Sequence, residues 1–275
     1  MQLKNITFQS FKYIVLLFFA FVFLYPVFIM IMSSFKTNLE IFTEPLSLPK
    51  SFSLDNYKEV WNVVNFSDYV WNSIFVSFAT VFIVLLVASM AGFYLSRYKF
   101  KWNPYILFFF MIGLMLPMRL AIIPLYITML NLGLLNTPFS LIFVYVAGGI
   151  PFAVFIFYGF FRTVPHALEE SARLDGCNDF QVYYKIVLPL MRPAISIVAI
   201  VNLVNVWNDF FYPLIFIRSE ELKTIPLGML TLFGEYDTQW NLLFAGLTIS
   251  SLPMIIAFLF LSRQFMEGLT QGALK

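Results

Sequence analysis

Six long apolar runs alternate with short polar stretches along this chain, and that rhythm dictates its expected elements. The runs cover residues 13–32, 70–95, 105–130, 139–161, 194–217 and 242–261. A hydrocarbon core of roughly 30 Å is crossed by about 20 residues of α-helix, so each run is long enough to span a bilayer. Within each run the apolar residues are continuous rather than alternating with period two, which predicts helices and not a barrel. The expected fold class is all-α, a polytopic membrane protein with about six transmembrane helices in one membrane domain over residues 1–275. No small-residue cleavage pattern follows the first run, so it reads as an uncleaved helix.

Composition strengthens this picture. Of 275 residues, 60% are hydrophobic and 12% charged, against about 25% charged in soluble domains, and the mean hydropathy is +0.83. Cytoplasmic loops carry the excess of Lys and Arg. Placing the amino terminus inside gives the cytoplasm Lys4, Lys12, Arg97, Lys99, Lys101, Arg162, Arg173, Lys185, Arg192, Arg263 and Lys275. The outside then holds only Lys36, Lys50, Lys58, Arg218 and Lys223, so both termini are expected in the cytoplasm. The largest outside segment, 33–69, is broken by Pro45 and Pro49 and predicts a small cap with one short helix near "DNYKEVW". A single cysteine, Cys177, excludes an intrachain disulfide, and a net charge of +2 gives no sign of a nucleic-acid partner.

Chemistry performed by the chain alone finds little support. No Lys follows a Gly, so the phosphate-cradling G-x-x-x-x-G-K-[ST] loop is absent. The only histidine, His166, precedes "ALEE", which rules out a zinc-binding H-E-x-x-H helix. The expectation is a protein that is not an enzyme and binds no metal or cofactor of its own.

The polar segment 162–192 stands out between two oily runs. Thr163, Pro165 and the acids Glu169 and Glu170 read as a helix start, and Gly176 as its stop. Asn178 and Gln181 then form a capping-box pattern for a second helix, which Pro189 closes. The first helix, from Pro165 to Asp175, is only about 16 Å long and must lie at the cytoplasmic surface. Ala167, Ser171 and Leu174, with Leu168 and Ala172 beside them, form a face of mostly small side chains, and Glu170, Arg173 and Asp175 add charge. A docking knob fits this pattern; so does a solvated connector.

The segment resembles the hallmark loop of ABC importer permeases, E-A-A, three residues, G, nine residues, I-x-L-P. Glu170, Ser171 and Ala172, then Gly176, then Ile186, Leu188 and Pro189 keep that spacing, with Ser171 in place of the middle alanine. The likeness extends over most of the chain through "IIPLYITMLNLGLLNTPFSL", "LEESARLDG", "WNDFFYPL" and "EGLTQGALK", and is similar to the carbohydrate importer subfamily. The resemblance implies a six-helix subunit in the plasma membrane of a prokaryote. It also implies a second permease chain, two ATPase subunits that bind ATP and Mg, and an extracytoplasmic solute-binding protein. It makes the loop a coupling helix, with Glu170 and Asp175 orienting it against the ATPase, Ala172 allowing close packing and Gly176 making the turn; the terminal "GLTQGALK" implies a further ATPase contact.

A substrate pathway should show as polar groups inside apolar runs. In the fifth run Asn202, Asn205 and Asp209 fall at i, i+3 and i+7, with Trp207, Asn208 and Tyr212 nearby, a lining suited to sugar hydroxyls and C–H faces. The same asparagines serve equally as glue between helices. Arg119, between Pro117 and Pro124, is the other costly residue, and those prolines are expected to interrupt the third helix. Gly148, Gly149 and Pro151 suggest either a bent fourth helix or a close helix contact. An importer of a non-sugar solute shares the loop pattern, and an ion-coupled carrier would place ionisable residues in the membrane, where only Arg119 and Asp209 qualify.

Overall fold

Fourteen helices are formed in the computed structural model, which describes residues 2–63, 65–234 and 238–273. They are α1 (Gln2–Ser33), α2 (Asn38–Thr43), α3 (Asp55–Val63), α4 (Phe66–Arg97), α5 (Asn103–Met115), α6 (Ile122–Asn131) and α7 (Pro138–Phe161). After these come α8 (His166–Leu174), α9 (Asp179–Gln181), α10 (Leu188–Leu190), α11 (Arg192–Trp207), α12 (Phe211–Phe216), α13 (Ile225–Gly228) and α14 (Trp240–Ala273). Among the described residues the only β pairing is an isolated bridge between Phe233 and Thr238, so the all-α expectation holds.

Among the described residues, four helices are long and apolar enough to cross a membrane, and two bent pairs raise the number to six if each pair is one span. The third run is one such pair, bent by 85° between Met115 and Met118. Pro117 has no N–H to donate and forces Leu116 into extended backbone (ψ 123°), so the helix stops there and resumes as a 3-10 turn and α6. The fifth run departs further from expectation. Its helix starts at Arg192, bent by 76° from the preceding Asp179–Leu190 segment, and ends at Trp207 instead of continuing to 217. Asn208 and Asp209, whose short polar side chains compete for backbone bonds, occupy the break before α12.

The chain forms two units. The first comprises Met1–Phe66 and Met229–Leu252. Residues of α1 from Phe11 to Phe28 expose their side chains almost throughout, as a helix surrounded by lipid would. In the cap, the buried Lys36 donates to the carbonyls of Glu44 (2.8 Å) and Pro45 (3.1 Å), and the Asn56 amide donates to those of Ser34 and Lys36. The short helix expected near "DNYKEVW" is α3.

The second unit comprises Ser67–Gly228 and Pro253–Lys275. Its α4 has a membrane pattern: the buried face carries Ser73, Ser77, Thr80, Val84 and Ala88, while Phe75, Phe78, Phe82 and Leu86 face outward. Lipid tails are as apolar as leucine, so large residues gain nothing by turning inward, whereas small ones let backbones approach. A Cβ on Gly92 would lie 2.7 Å from that of Phe157 on α7. Helix α7 runs unbroken through Pro151, and Gly149 is the point of close approach, leaving no room for a Cβ against Asn202 of α11.

Candidate functional site

Two places gather the residues singled out in the sequence. The first is the cytoplasmic segment. Helix α8 starts at His166 after Pro165, and Thr163 does not cap it, because its hydroxyl donates back to the Phe160 carbonyl (2.8 Å). The stop is a Schellman turn: Gly176 N–H donates to Arg173 and Cys177 N–H to Ala172, both at 3.0 Å, with Gly176 at φ +87°. The capping box forms as expected, with Asn178 and Gln181 exchanging side chain to backbone bonds of 2.9 and 3.0 Å. A π-helical stretch, Val182–Val187, then leads into α10, which ends at Leu190, just past Pro189.

Exposure divides α8 into two faces. Ala167, Glu170, Ser171 and Leu174 point away from the rest of the unit, and Asp175 at the C-cap is exposed with them. Ala172 faces the other way: it is buried in a cluster with Phe161, Val164, Val182 and Val187, against which Ile186 and Leu188 also pack. Its smallness therefore serves packing within this chain rather than an outward contact. Pro189 is exposed.

The buried acid of α8 is Glu169, which the sequence marked only as part of the helix start. Its carboxylate lies 2.5 Å from the Arg97 guanidinium at the end of α4, with only 3% of the Arg97 side chain and 1% of Glu169 exposed. Arg97 also donates to the Val164 carbonyl (2.9 Å), and Arg173 stands 3.9 Å from Glu169 and 3.2 Å from Asp179. Burial works against the Arg173 charge, but the hydrogen bonds to Asp179 and Tyr98 and the Asp179 charge together outweigh it, so its pKa is raised. Burial, then the Asp179 carboxylate, pushes the Tyr98 phenol up as well. The available signal was an acid in the first turn of a helix and a base at the end of a span, each favoured by the local dipole.

The second place is where the two broken helices meet. Arg119, in the 3-10 turn after the first break, lies 3.5 Å from Asp209, in the second. Asp209 also accepts from the Tyr145 hydroxyl (2.8 Å) and from the Tyr212 backbone N–H (3.1 Å), which serves as a cap for α12. Arg119 stacks over Phe211 at 5.4 Å, and the rings of Tyr145 and Tyr212 stand edge to face at 5.7 Å. Asp209 is nearly enclosed, with 9% of its side chain exposed, whereas Arg119 is 71% exposed and keeps free donors. The group can take hydroxyls on Arg119 and a ring face on the aromatics.

The expected Asn202–Asn205–Asp209 stripe does not exist, because α11 ends before Asp209. Asn202 is buried and donates to the Val198 carbonyl one turn back in its own helix (2.8 Å), so that bond neither lines a pathway nor ties two helices together. Asn205 and Asn208 are exposed, Asn208 donating to Val204 (3.0 Å). Trp207 is buried and lines an apolar groove of about 500 Å³ with Phe78, Leu203 and Met254. Tyr145 was missed, since one tyrosine in an apolar run carries no signal without its partner.

The family described as "Binding-protein-dependent transport system inner membrane component" matches residues 84–271, the stretch holding both places. This chain belongs to that family. Among its relatives, this inner membrane component is 38% identical to "Probable ABC transporter permease protein YurM" of Bacillus subtilis, over 91% of this chain and 83% of that one. It is 35% identical to the "Probable starch degradation products transport system permease protein AmyC" of Thermoanaerobacterium thermosulfurigenes, over 91% of each. The "Diacetylchitobiose uptake system permease protein NgcG" of Streptomyces coelicolor is 32% identical over 98% of the inner membrane component and 89% of its own length. In fold, the component matches a chain of a bacterial ABC transporter that imports the acidic polysaccharide alginate, at TM-score 0.82 and 21% identity over 95% and 98% of the two chains.

Proposed function

We propose that this permease subunit serves an ATP-driven, binding-protein-dependent carbohydrate importer in the plasma membrane of a prokaryote, with both termini in the cytoplasm. It pairs with a second permease chain, docks two ATPase subunits that bind ATP and Mg, and receives its sugar from an extracytoplasmic solute-binding protein. The carbohydrate reading rests on relatives named for starch degradation products and diacetylchitobiose.

One observation carries the docking: Leu174 is 89% exposed at the end of a helix whose opposite face is anchored. An apolar side chain ringed by Glu170, Ser171 and Asp175 is suited to a partner's cleft, with the acids setting orientation. Gly176 makes the turn, Ala172, Ile186 and Leu188 brace the helix from behind, and Pro189 lies exposed near the end of the segment that follows. In the membrane, Arg119, Asp209, Tyr212 and Tyr145 line the pathway, Asn205 and Asn208 extend it, and Asn202 and Trp207 support the helix that carries it.

The test is to purify the tagged chain from its native membranes in mild detergent and identify what accompanies it. A second permease and an ATPase are expected, the ATPase being lost with Leu174→Asp. Recovery of the chain alone, with uptake in liposomes driven by an ion gradient, would overturn the proposal in favour of a secondary carrier.

A further inference from the structure

Helix α8 is held to the membrane part of its unit in two ways that differ physically. One is the apolar seat of Ala172, Val164, Val182 and Phe161, which excludes water but has no preferred direction. The other is the Arg97–Glu169 pair, 2.5 Å apart and almost wholly enclosed. Taking two charges out of water costs several kcal/mol per ion, and an apolar pair of equal volume commonly does as well or better for stability. Stability alone therefore gives no reason for the pair. What it adds is a specific tie, because two enclosed opposite charges attract each other strongly and neither finds a substitute among apolar neighbours.

The ends it joins are informative. Arg97 is the last residue of α4, a helix of 32 residues, and Glu169 lies in the first turn of α8. Arg97 donates in addition to the Val164 carbonyl (2.9 Å) and stands 3.5 Å from the His166 ring, so one side chain grips the whole start of α8. Behind it, Glu169 is 3.9 Å from Arg173, which bonds Asp179 across the Gly176 turn at 3.2 Å. The line of charge thus runs from α4 through α8 to the start of α9. By chain connection, α8 follows α7 and leads through α9 to α11; α4 meets the segment after α8 through the Ser89–Tyr183 hydrogen bond (2.7 Å) and the Phe93–Tyr183 ring contact, and meets α8 by charge through Arg97 and Glu169.

We propose that the Arg97–Glu169 pair is a strut that carries displacement of α8 to α4, making both of them positioning residues of the transport cycle. This rests on the coupling reading above. If α8 is pushed by an ATPase, the apolar seat lets it slide and roll, whereas the strut makes α4 move with it. Without the strut, the ATPase still docks and turns over, but its motion reaches α4 only through the apolar seat and the Ser89–Tyr183 contact, and less of it arrives.

Removing one partner strands the other charge in the interior, so Arg97→Gln alone reports on folding. The decisive variant removes both charges and keeps the volume, Arg97→Met with Glu169→Leu, purified with its partners and assayed twice. ATP hydrolysis should stay near the unmodified rate, while uptake in cells falls by about tenfold or more, the scale of a typical coupling free energy. Uptake at the unmodified rate would overturn the strut and leave the docking reading standing. Loss of the ATPase from the double variant, with the chain still in the membrane, would overturn it too, by showing that the pair shapes the docking surface. If the unmodified chain brings down no ATPase, the coupling reading fails and the strut with it.

Discussion

Gly176 shows how little a functional turn can depend on contacts. A Cβ there would touch nothing within 4 Å, so any penalty comes from its φ of +87° alone. Left-handed backbone costs a non-glycine residue roughly 1–2 kcal/mol, less for asparagine. Gly176→Asn is expected to keep uptake near normal, and Gly176→Val to abolish it while membrane insertion persists; equal uptake by the two would remove the turn from the mechanism. Gly149 is the opposite case, since its Cβ would collide with Asn202, whereas one on Gly159 would meet open space. Overpacking of that kind costs about 1–3 kcal/mol. Gly149→Ala should lower the melting temperature in detergent and Gly159→Ala should not.

At the scale of elements, polar side chains on membrane helices hold the loops that follow the breaks. Asn72 donates to the carbonyls of Glu221 (2.7 Å) and Lys223 (3.1 Å), and Ser73 accepts from Ile225 N–H (2.9 Å). In the same loop, the hydrogen bond from Lys223, then that from Tyr69, holds the Glu220 carboxyl below its usual pKa. A depressed folded pKa stabilises above the unfolded value and is lost as pH falls through the folded one. Thermal stability in detergent should therefore drop as pH is lowered through and below 4.5, the ordinary value for Glu, with Glu220→Gln flattening that fall. A profile unchanged by Glu220→Gln would show that the tie contributes nothing. Asp209 caps α12 and neutralises Arg119 at once, so Asp209→Ala should impair folding, while Arg119→Ala, removing an exposed side chain, should slow uptake with the fold intact. Comparing melting temperature with uptake rate separates the two.

For the whole molecule, orientation has a direct test. In a Cys177→Ser background expressed without the ATPase, Leu174→Cys should react with a membrane-impermeant maleimide only in inside-out vesicles, and Lys50→Cys only in intact cells. Leu174 is 89% exposed and the Lys50 side chain 65%, so access is not limited by folding. The reverse pattern would invert the topology and place α8 outside, away from any ATPase.

What the sequence determined by itself was local in origin. Continuous apolar runs placed the spans because a bilayer demands length and hydropathy from each segment separately. Pro117, Gly176 and the Asn178–Gln181 box marked a break, a stop and a start because their effects act within a few residues. The tertiary structure decided what depends on partners distant in the chain. Only folding brings Arg97 to Glu169, 72 residues on, or joins Arg119 and Tyr145 to Asp209. It also turned Ala172 inward, sank Asn202 against Gly149, and ended α11 at Trp207, since burial and pairing follow from which helices cross, and an isolated segment carries no record of that.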